Sequence, residues 1–267
     1  MKRNEIIEGL KSALEPLPYT YALWLEGADA SGTVDEYSDL DFWLDFEDEY
    51  ETQVINDVEN ALCGLGGFDY KYVMNHGHPK IRQRIYHLNN TSEYLMIDFC
   101  WQLHSRAQSG DGLLIKDDKI EAAKIIFDKA NVVRYKNYAL DDFLIANTER
   151  LNECKYRYSQ HSRVIKYVHR GLYAEAYAYY NRYVVEPLVD VLRLIYTPAH
   201  ADYYLVHISH HIPAQELKRL EYFLQITSLD DIEKKTDEAQ RWFVELVSKI
   251  NNGDKYNNPV LILGTKA

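Results

Sequence analysis

Cysteine is scarce in this 267-residue chain, and the three present, Cys63, Cys100 and Cys154, are odd in number, far apart and without CxxC spacing. That excludes a disulfide framework and a thiolate zinc site, so buried thiols are expected. Long apolar runs are also missing. Charge interrupts the apolar stretches every few positions, and no window approaches the roughly 18 residues of a membrane span. The start, Met1-Lys2-Arg3-Asn4-Glu5-Ile6-Ile7-Glu8, sets acids among its apolar residues where a signal peptide needs an uninterrupted apolar segment. The expectation is a cytoplasmic protein that makes no membrane contact. Bases are in deficit, 30 Lys+Arg against 41 Asp+Glu for a net charge of −11. The deficit is uneven: residues 1–137 hold 14 bases and 24 acids, residues 138–267 hold 16 and 17. A surface of that sign repels nucleic-acid phosphates and suits a cationic small molecule. No Ser/His/Asp or Cys/His hydrolase arrangement, Walker loop or dinucleotide-binding glycine fingerprint is found.

With 46% hydrophobic and 27% charged residues the chain has the make-up of an ordinary globular protein, and its length and internal contrast predict two domains. In the first, Ile6, Ile7, Leu10, Ala13 and Leu14 fall on one helical face before the stop at Pro16 and Pro18. A strand over 19–26, a loop over 27–38, a strand over 40–46, a helix through Val54–Leu62 closed by Gly64, Gly66 and Gly67, and strands over 68–73, 81–88 and 94–101 follow. After about residue 137 turn signals thin out, and four helices are predicted over 140–171, 173–196, 213–224 and 229–250, with an irregular tail from Asn251. The fold class is therefore α+β: a small mixed sheet domain over 1–137, then an all-α helical bundle over 138–267.

Chemistry concentrates in Leu25-Glu26-Gly27-Ala28-Asp29-Ala30-Ser31-Gly32-Thr33 and, after a spacer ending at Ser38, Asp39-Leu40-Asp41-Phe42-Trp43-Leu44. On a strand, Asp39 and Asp41 project from one face and hold their carboxylates side by side. Like charges that close either share a proton or take a cation, and hard carboxylate oxygens select Mg²⁺ or Mn²⁺. Asp98, in Leu95-Met96-Ile97-Asp98-Phe99-Cys100, is a third acid in an otherwise apolar strand and needs a partner. The bland alternative is a solvated acidic edge, since residues 35–51 carry nine acids and no Lys or Arg. The Gly27 turn lies between a strand and these carboxylates, where backbone N–H groups could cradle a triphosphate.

Over residues 19–101 the sequence resembles the nucleotidyltransferase superfamily of the DNA polymerase beta type, whose signature is an apolar strand, Gly-Ser, a spacer of about ten residues, Asp-x-Asp and a later strand acid. Gly27, Asp39, Asp41 and Asp98 match it, and the helical second half is similar in layout to the aminoglycoside and lincosamide branch. The resemblance implies Asp39, Asp41 and Asp98 as metal ligands and catalytic residues, and a nucleotide-holding loop at Gly27, Ala28 and Ser38. It implies Mg²⁺ (or Mn²⁺) with ATP or another nucleoside triphosphate, and transfer of a nucleoside monophosphate, most simply AMP, to a hydroxyl of a small cationic acceptor, as in antibiotic resistance. A monomer or a homodimer fits, with the helical domain binding the acceptor. The general base is Asp98 or an acid of the helical domain, Glu175 or Glu186, although for Glu186 a salt bridge to Arg182 or Arg193 is expected ahead of catalysis. Ala28 stands where the family has Ser, and Asp29 brings a negative charge that must point away or meet Lys71, Lys80 or Arg82. Those two departures keep a degraded nucleotidyltransferase that only binds as an alternative, beside a protein-AMPylating relative of the antitoxin type. Of Tyr173, Tyr177, Tyr179, Tyr180 and Tyr183, most are expected in the bundle core and one or two at a cleft. His207, His210 and His211 have helical spacing but no HExxH pattern, and are expected as surface imidazoles.

Overall fold

A computed structural model describes residues 2–118, 120–139 and 141–251, and divides the chain into two compact units, Met1–Tyr138 and Ala139–Ala267. The expected irregular tail beyond Asn251 lies outside the described residues.

In the first unit, α1 (Arg3–Leu14), β1 (Thr20–Leu25), a short α2 (Gly27–Ser31), β2 (Leu40–Phe46), α3 (Glu51–Leu65), β3 (Phe68–Met74), β4 (Ile81–Leu88) and β5 (Met96–Leu103) follow in order. Then come α4 (His104–Gln108), β6 (Leu114–Ile115), β7 (Lys124–Asp128) and β8 (Tyr135–Lys136). Six strands form one sheet in the order β3-β4-β5-β2-β1-β7, and β6 and β8 make a separate parallel pair. Every neighbouring pair of the large sheet is antiparallel except β2 and β5, which run parallel through a crossover that contains α3, β3 and β4.

Strand alternation decides which face is which. Leu40, Phe42, Leu44 and Phe46 of β2 and Ile97, Phe99 and Trp101 of β5 are buried in one core with Ile6, Leu10 and Leu14 of α1 and Val54, Val58 and Leu62 of α3. The alternate residues, Asp41, Trp43 and Asp45 on β2 and Asp98, Cys100 and Gln102 on β5, turn to the opposite, polar face. The loop expected over 27–38 contains a turn of helix, α2, which ends at Gly32 in a left-handed conformation (φ +73°). The strand expected over 94–101 begins two residues later, because the turn through Ser92 holds Leu95 by a backbone bond of 2.9 Å. Cys63 is exposed rather than buried, on the outer side of α3, while Cys100 and Cys154 are buried thiols.

The second unit is all-helical: α5 (Asp141–Ser159), α6 (Ser162–His169), α7 (Tyr173–Tyr180), α8 (Glu186–Tyr196), α9 (Ile208–His211), α10 (Ala214–Leu224) and α11 (Leu229–Asn251). The single helix expected over 140–171 is two, broken at Gln160 and His161, where Ser159 Oγ bonds back to the Tyr156 carbonyl at 2.7 Å. Between α7 and α8 the turn widens into a π-helical stretch, Asn181–Val185, just before Pro187, whose ring and missing N–H a regular turn would not accept. The run Pro187–Leu194 of α8 is buried throughout, at the centre of this core. Among the described residues no helix is long and apolar enough to cross a membrane.

The tyrosines of α7 and the π stretch divide three to the core and two to the surface. Tyr180 is fully buried with its hydroxyl on the Phe223 carbonyl at 2.9 Å, Tyr179 and Tyr183 are half-buried against the core, and Tyr173 and Tyr177 are exposed and stacked on each other. Of the histidines, His207 and His210 are exposed as expected and His211 is not. His211 is buried and presents Nδ1 to the Arg193 guanidinium at 2.8 Å, while His207 sits before α9 at φ +51°, so the three do not share a helix face. Arg193 itself is fully buried and also donates to the Tyr204 carbonyl at 2.7 Å, which ties the 204–206 turn to α8.

Leu10 has no exposed surface and lies between α1, α3 and the sheet. Leu10→Ala is expected to lower the stability of the first unit by about 2–5 kcal/mol, the range for a large-to-small change in a closed core, read from chemical denaturation followed by tryptophan fluorescence.

Candidate functional site

The parallel register of β2 and β5 sets Asp41 directly opposite Asp98 on the polar face. Asp39 precedes β2 rather than lying on it, and is exposed, while Asp41 and Asp98 are half-buried. The strand register therefore sets Asp41 against Asp98, and Asp39 does not share the strand with Asp41 as the i, i+2 spacing had suggested. Asp39 remains in electrostatic reach of both. Burial, then the charges of Asp98 and Asp39, push the Asp41 carboxyl up to about 6; Arg3 opposes this and Asp29 adds to it. Burial also raises Asp98, offset by its hydrogen bonds with Gln83, whose Nε2 donates to both carboxylate oxygens at 2.8 Å. Asp98 thus has the partner that its apolar strand demanded, an amide and not an arginine. Burial raises Asp39 as well, against the Met96 backbone N–H and Arg3.

Gly27 opens α2 at φ +55°, and a Cβ there would lie 2.1 Å from Asp41 Oδ2. Both the left-handed backbone and the contact favour glycine there. The Glu26 backbone N–H bonds the Asp41 carbonyl at 2.9 Å, so the turn is laid directly on the carboxylate strand. Ser38 is less available than the sequence implied: its hydroxyl donates to Asp35 Oδ1 at 2.8 Å and accepts from the Asp35 N–H at 2.9 Å. Asp29 meets neither Lys71, Lys80 nor Arg82. Lys71 pairs with Glu59, Lys80 bonds the Ser105 carbonyl and Arg82 pairs with Glu51. The bases on Asp29 are Arg3, from α1, and Lys124, from β7, at 3.2 Å. Arg3 also donates to the Ser38 carbonyl at 2.7 Å and to the Asp39 carbonyl, fastening the whole 27–39 segment to the first helix. Sequence reasoning passed over Arg3, whose only signal was a base seated at the start of an apolar helix.

Two further groups on the polar face were also missed. Asp45, fully buried, accepts from Gln102 Nε2 at 2.7 Å and is 2.6 Å from His104 Nδ1. It continues the alternation of Asp39, Asp41 and Trp43, which was its signal. Glu26 accepts from the Trp24 indole N–H at 3.0 Å, and burial pushes its carboxyl up to about 7.

In the second unit, Glu175 is exposed on α7 and Glu186 pairs with Arg157 at 3.0 Å rather than with Arg182 or Arg193. Arg157 and Arg150 also bind the buried Asp190 beside a hollow lined by Glu149, Glu153 and Tyr204.

Among the described residues no group of three or more His, Cys, Asp and Glu side chains stands gathered as a metal cage. The donor chemistry still fits a hard divalent cation. Asp39, Asp41 and Asp98 offer only carboxylate oxygens, and no described Lys, Arg or His forms an ion pair with any of them.

No family model matches the sequence, and no curated protein matches it. Among solved structures, a nucleotidyltransferase-like protein from Exiguobacterium sibiricum aligns with 94% of this chain and 77% of its own at 11% identity and a TM-score of 0.37. The CdnE cyclic dinucleotide synthase of Elizabethkingia meningoseptica aligns over 99% and 83% at 12% identity and TM-score 0.27. A CdnE c-di-GMP synthase of Capnocytophaga granulosa aligns over 90% and 81% at 14% identity and TM-score 0.29. Scores this low decide neither fold nor activity, which rest on the geometry of the chain itself.

The raised Asp41 carboxyl makes a stability statement. Its folded value, about 6, exceeds that of an unfolded aspartate near 3.9, so its favourable contribution is complete below about pH 4 and is lost as pH rises through 6. Asp41→Asn is expected to raise the melting temperature at pH 7 and to leave it unchanged near pH 3.5, where Asp41 is protonated, in paired thermal melts.

Proposed function

We propose that the chain is a nucleotidyltransferase: it moves a nucleoside monophosphate from a nucleoside triphosphate to a hydroxyl of a small acceptor, with Mg²⁺ or Mn²⁺ held by Asp39, Asp41 and Asp98. The observation that carries this is the Asp41/Asp98 pair, two half-buried carboxylates opposite each other, neither of them in an ion pair among the described residues. A fold keeps so costly a pair where a cation offsets it.

The divalent cation, when bound, would neutralise phosphate charge and lower the pKa of the attacking hydroxyl. In the transfer itself the acceptor oxygen bonds to the α-phosphorus, the bond from that phosphorus to the bridging oxygen breaks, and pyrophosphate leaves. The acceptor proton passes to Asp98, whose orientation Gln83 fixes by donating to both of its oxygens. Gly27 and Ala28 offer backbone N–H groups to the phosphates. The negative charge of Asp29 is no obstacle, because Arg3 and Lys124 neutralise it. We take Asp98 as the base, since Arg157 engages Glu186.

We assign acceptor binding to the helical unit. Its charged hollow, with Glu149, Glu153, Glu186 and Asp190 against Arg150 and Arg157, suits an amine-bearing compound of the aminoglycoside or lincosamide kind.

Calorimetric titration of non-hydrolysable triphosphate analogues of ATP, GTP, CTP and UTP is the test, with and without Mg²⁺. Binding of at least one should require the metal and fall at least tenfold in Asp41→Asn and Asp98→Asn. Turnover in Asp98→Asn should drop by about 10²–10⁴-fold, the usual worth of a general base. Metal-independent binding, or binding indifferent to both substitutions, overturns the reading.

A further inference from the structure

At the edge of the sheet where β2 and β5 begin, beside Asp39, two tyrosines stand out into water. Tyr37 is 60% exposed and Tyr94 49%, and their rings meet edge to face at 70° with centroids 5.1 Å apart. One exposed ring is ordinary on a protein surface. Here two rings from separate segments are held against each other next to the carboxylates.

Both rings sit on turns that are tied down. The Tyr37 backbone N–H donates to Asp35 Oδ1 at 3.0 Å, Ser38 Oγ donates to the same oxygen at 2.8 Å, and Arg3 holds the Ser38 carbonyl at 2.7 Å. In the second turn the Leu95 N–H bonds the Ser92 carbonyl at 2.9 Å, and the Met96 N–H bonds the Tyr94 carbonyl at 3.0 Å. The Met96 N–H also reaches the Asp39 carboxyl, so the two turns meet at the first of the three acids.

The charge around the rings has one sign. Residues 33–39 and 91–95 contain Asp35, Glu36, Asp39 and Glu93 and no Lys or Arg. Glu36 and Glu93 are exposed and in no ion pair among the described residues. The described bases bonded to these turns are already engaged: Arg3 by Asp29 and the Ser38 and Asp39 carbonyls, His87 by Asp69 and the Ser92 carbonyl.

An edge-to-face pair leaves ring face uncovered, and the face of a tyrosine ring is its negative part. Ring faces and carboxylates together attract a cation and repel a phosphate, while a neutral ring gains nothing from the acids. A bare metal ion takes carboxylate oxygens and makes no use of the rings. An organic ammonium uses both, with its carbon groups on the rings and its charge toward the acids.

We propose that Tyr37 and Tyr94 form a subsite for the ammonium group of a small hydroxyl-bearing amine. Its role as an anchor for the acceptor rests on the transfer reading, whereas binding of the ammonium does not. Tyr37 stands four positions before Asp41 and Tyr94 four before Asp98, so each pair of Cα atoms lies within about 14 Å. A small molecule spans that distance, with its amine on the tyrosines and its hydroxyl at the carboxylates. The subsite therefore selects acceptors by the separation of charge and hydroxyl, and it lies wholly in the first unit.

The test is NMR titration of choline into the full chain, without metal or nucleotide, beside neohexyl alcohol, its uncharged carbon isostere. Choline should bind at least about fivefold more tightly than the alcohol. Tyr37→Leu and Tyr94→Leu should each weaken choline about fivefold, and Tyr37→Phe should leave it within about twofold, because the ring face and not the hydroxyl makes the contact. Both side chains are exposed, so these variants should fold as the wild type does by circular dichroism. Choline binding of this pattern in a chain that binds no triphosphate upholds the subsite while the transfer reading falls. Equal binding of the alcohol, binding indifferent to both leucine substitutions, or no binding of choline would each overturn it.

Discussion

Two carboxylates stand side by side in the first unit because the hydrophobic core leaves them nowhere else to be. Leu40, Phe42 and Leu44 must face α1 and α3, and so must Ile97, Phe99 and Trp101. A slip of one residue would turn either set into water. Once both sets point inward, Asp41 and Asp98 point outward together, and the parallel pairing makes them direct neighbours. Apolar burial over the whole sheet outweighs the local repulsion, so the core holds in place an arrangement that its electrostatics oppose.

The rest of the polar face is organised around the same strands but solves its charges internally. Asp45 is as deeply placed as any core residue, yet Gln102 and His104 satisfy it, and through Gln102 it sets Arg106 against Trp43. Buried polar chains of this kind are rigid when complete, because every member left unpaired costs more than the bond it could make. The helical unit uses the same rule with a different currency. Arg193 spends its donors on the carbonyls of 204 and 206, on Thr197 and on a neutral His211, which fixes an irregular turn without any carboxylate. Burial and the neighbouring Arg193 charge hold the His211 pKa down at about 4, in keeping with its acceptor role.

Much of this was legible in the sequence, for physical reasons that differ by element. The helix at Ile6–Leu14 and the strand at Leu40–Phe46 carry clean periodicities of 3.6 and 2, and each lies where the pattern put it. The single helix expected over 140–171 carried helical spacing right through Gln160 and His161, so nothing apolar marked the break. Asp39, Asp41, Asp98 and Gly27 could be named from spacing, but their pairing could not. Which two carboxylates meet depends on strand order and direction, and the i, i+2 rule sees only one strand. Arg3 and Lys124 were invisible for a like reason: they reach Asp29 across 26 and 95 residues of sequence.

The spacing from Gly27 to Asp41 has its own steric logic. A glycine before a phosphate-binding turn is usually read as room for a ligand, yet here the missing Cβ makes room for a carboxylate of the protein, 2.1 Å from where that Cβ would be. The turn and Asp41 are therefore one packed object, not two features that meet only when a ligand arrives. Arg3 extends that object to α1, since one guanidinium bonds the Asp29 carboxylate and the carbonyls of Ser38 and Asp39 at once. The twelve-residue helix that looked like plain core packing thus positions both ends of the segment that carries the signature. A helix whose apolar face is locked under the sheet has little freedom, and through Arg3 it passes that rigidity to the segment that carries Asp29, Ser38 and Asp39. Pre-setting the loop in this way lowers the ordering cost that binding would otherwise incur.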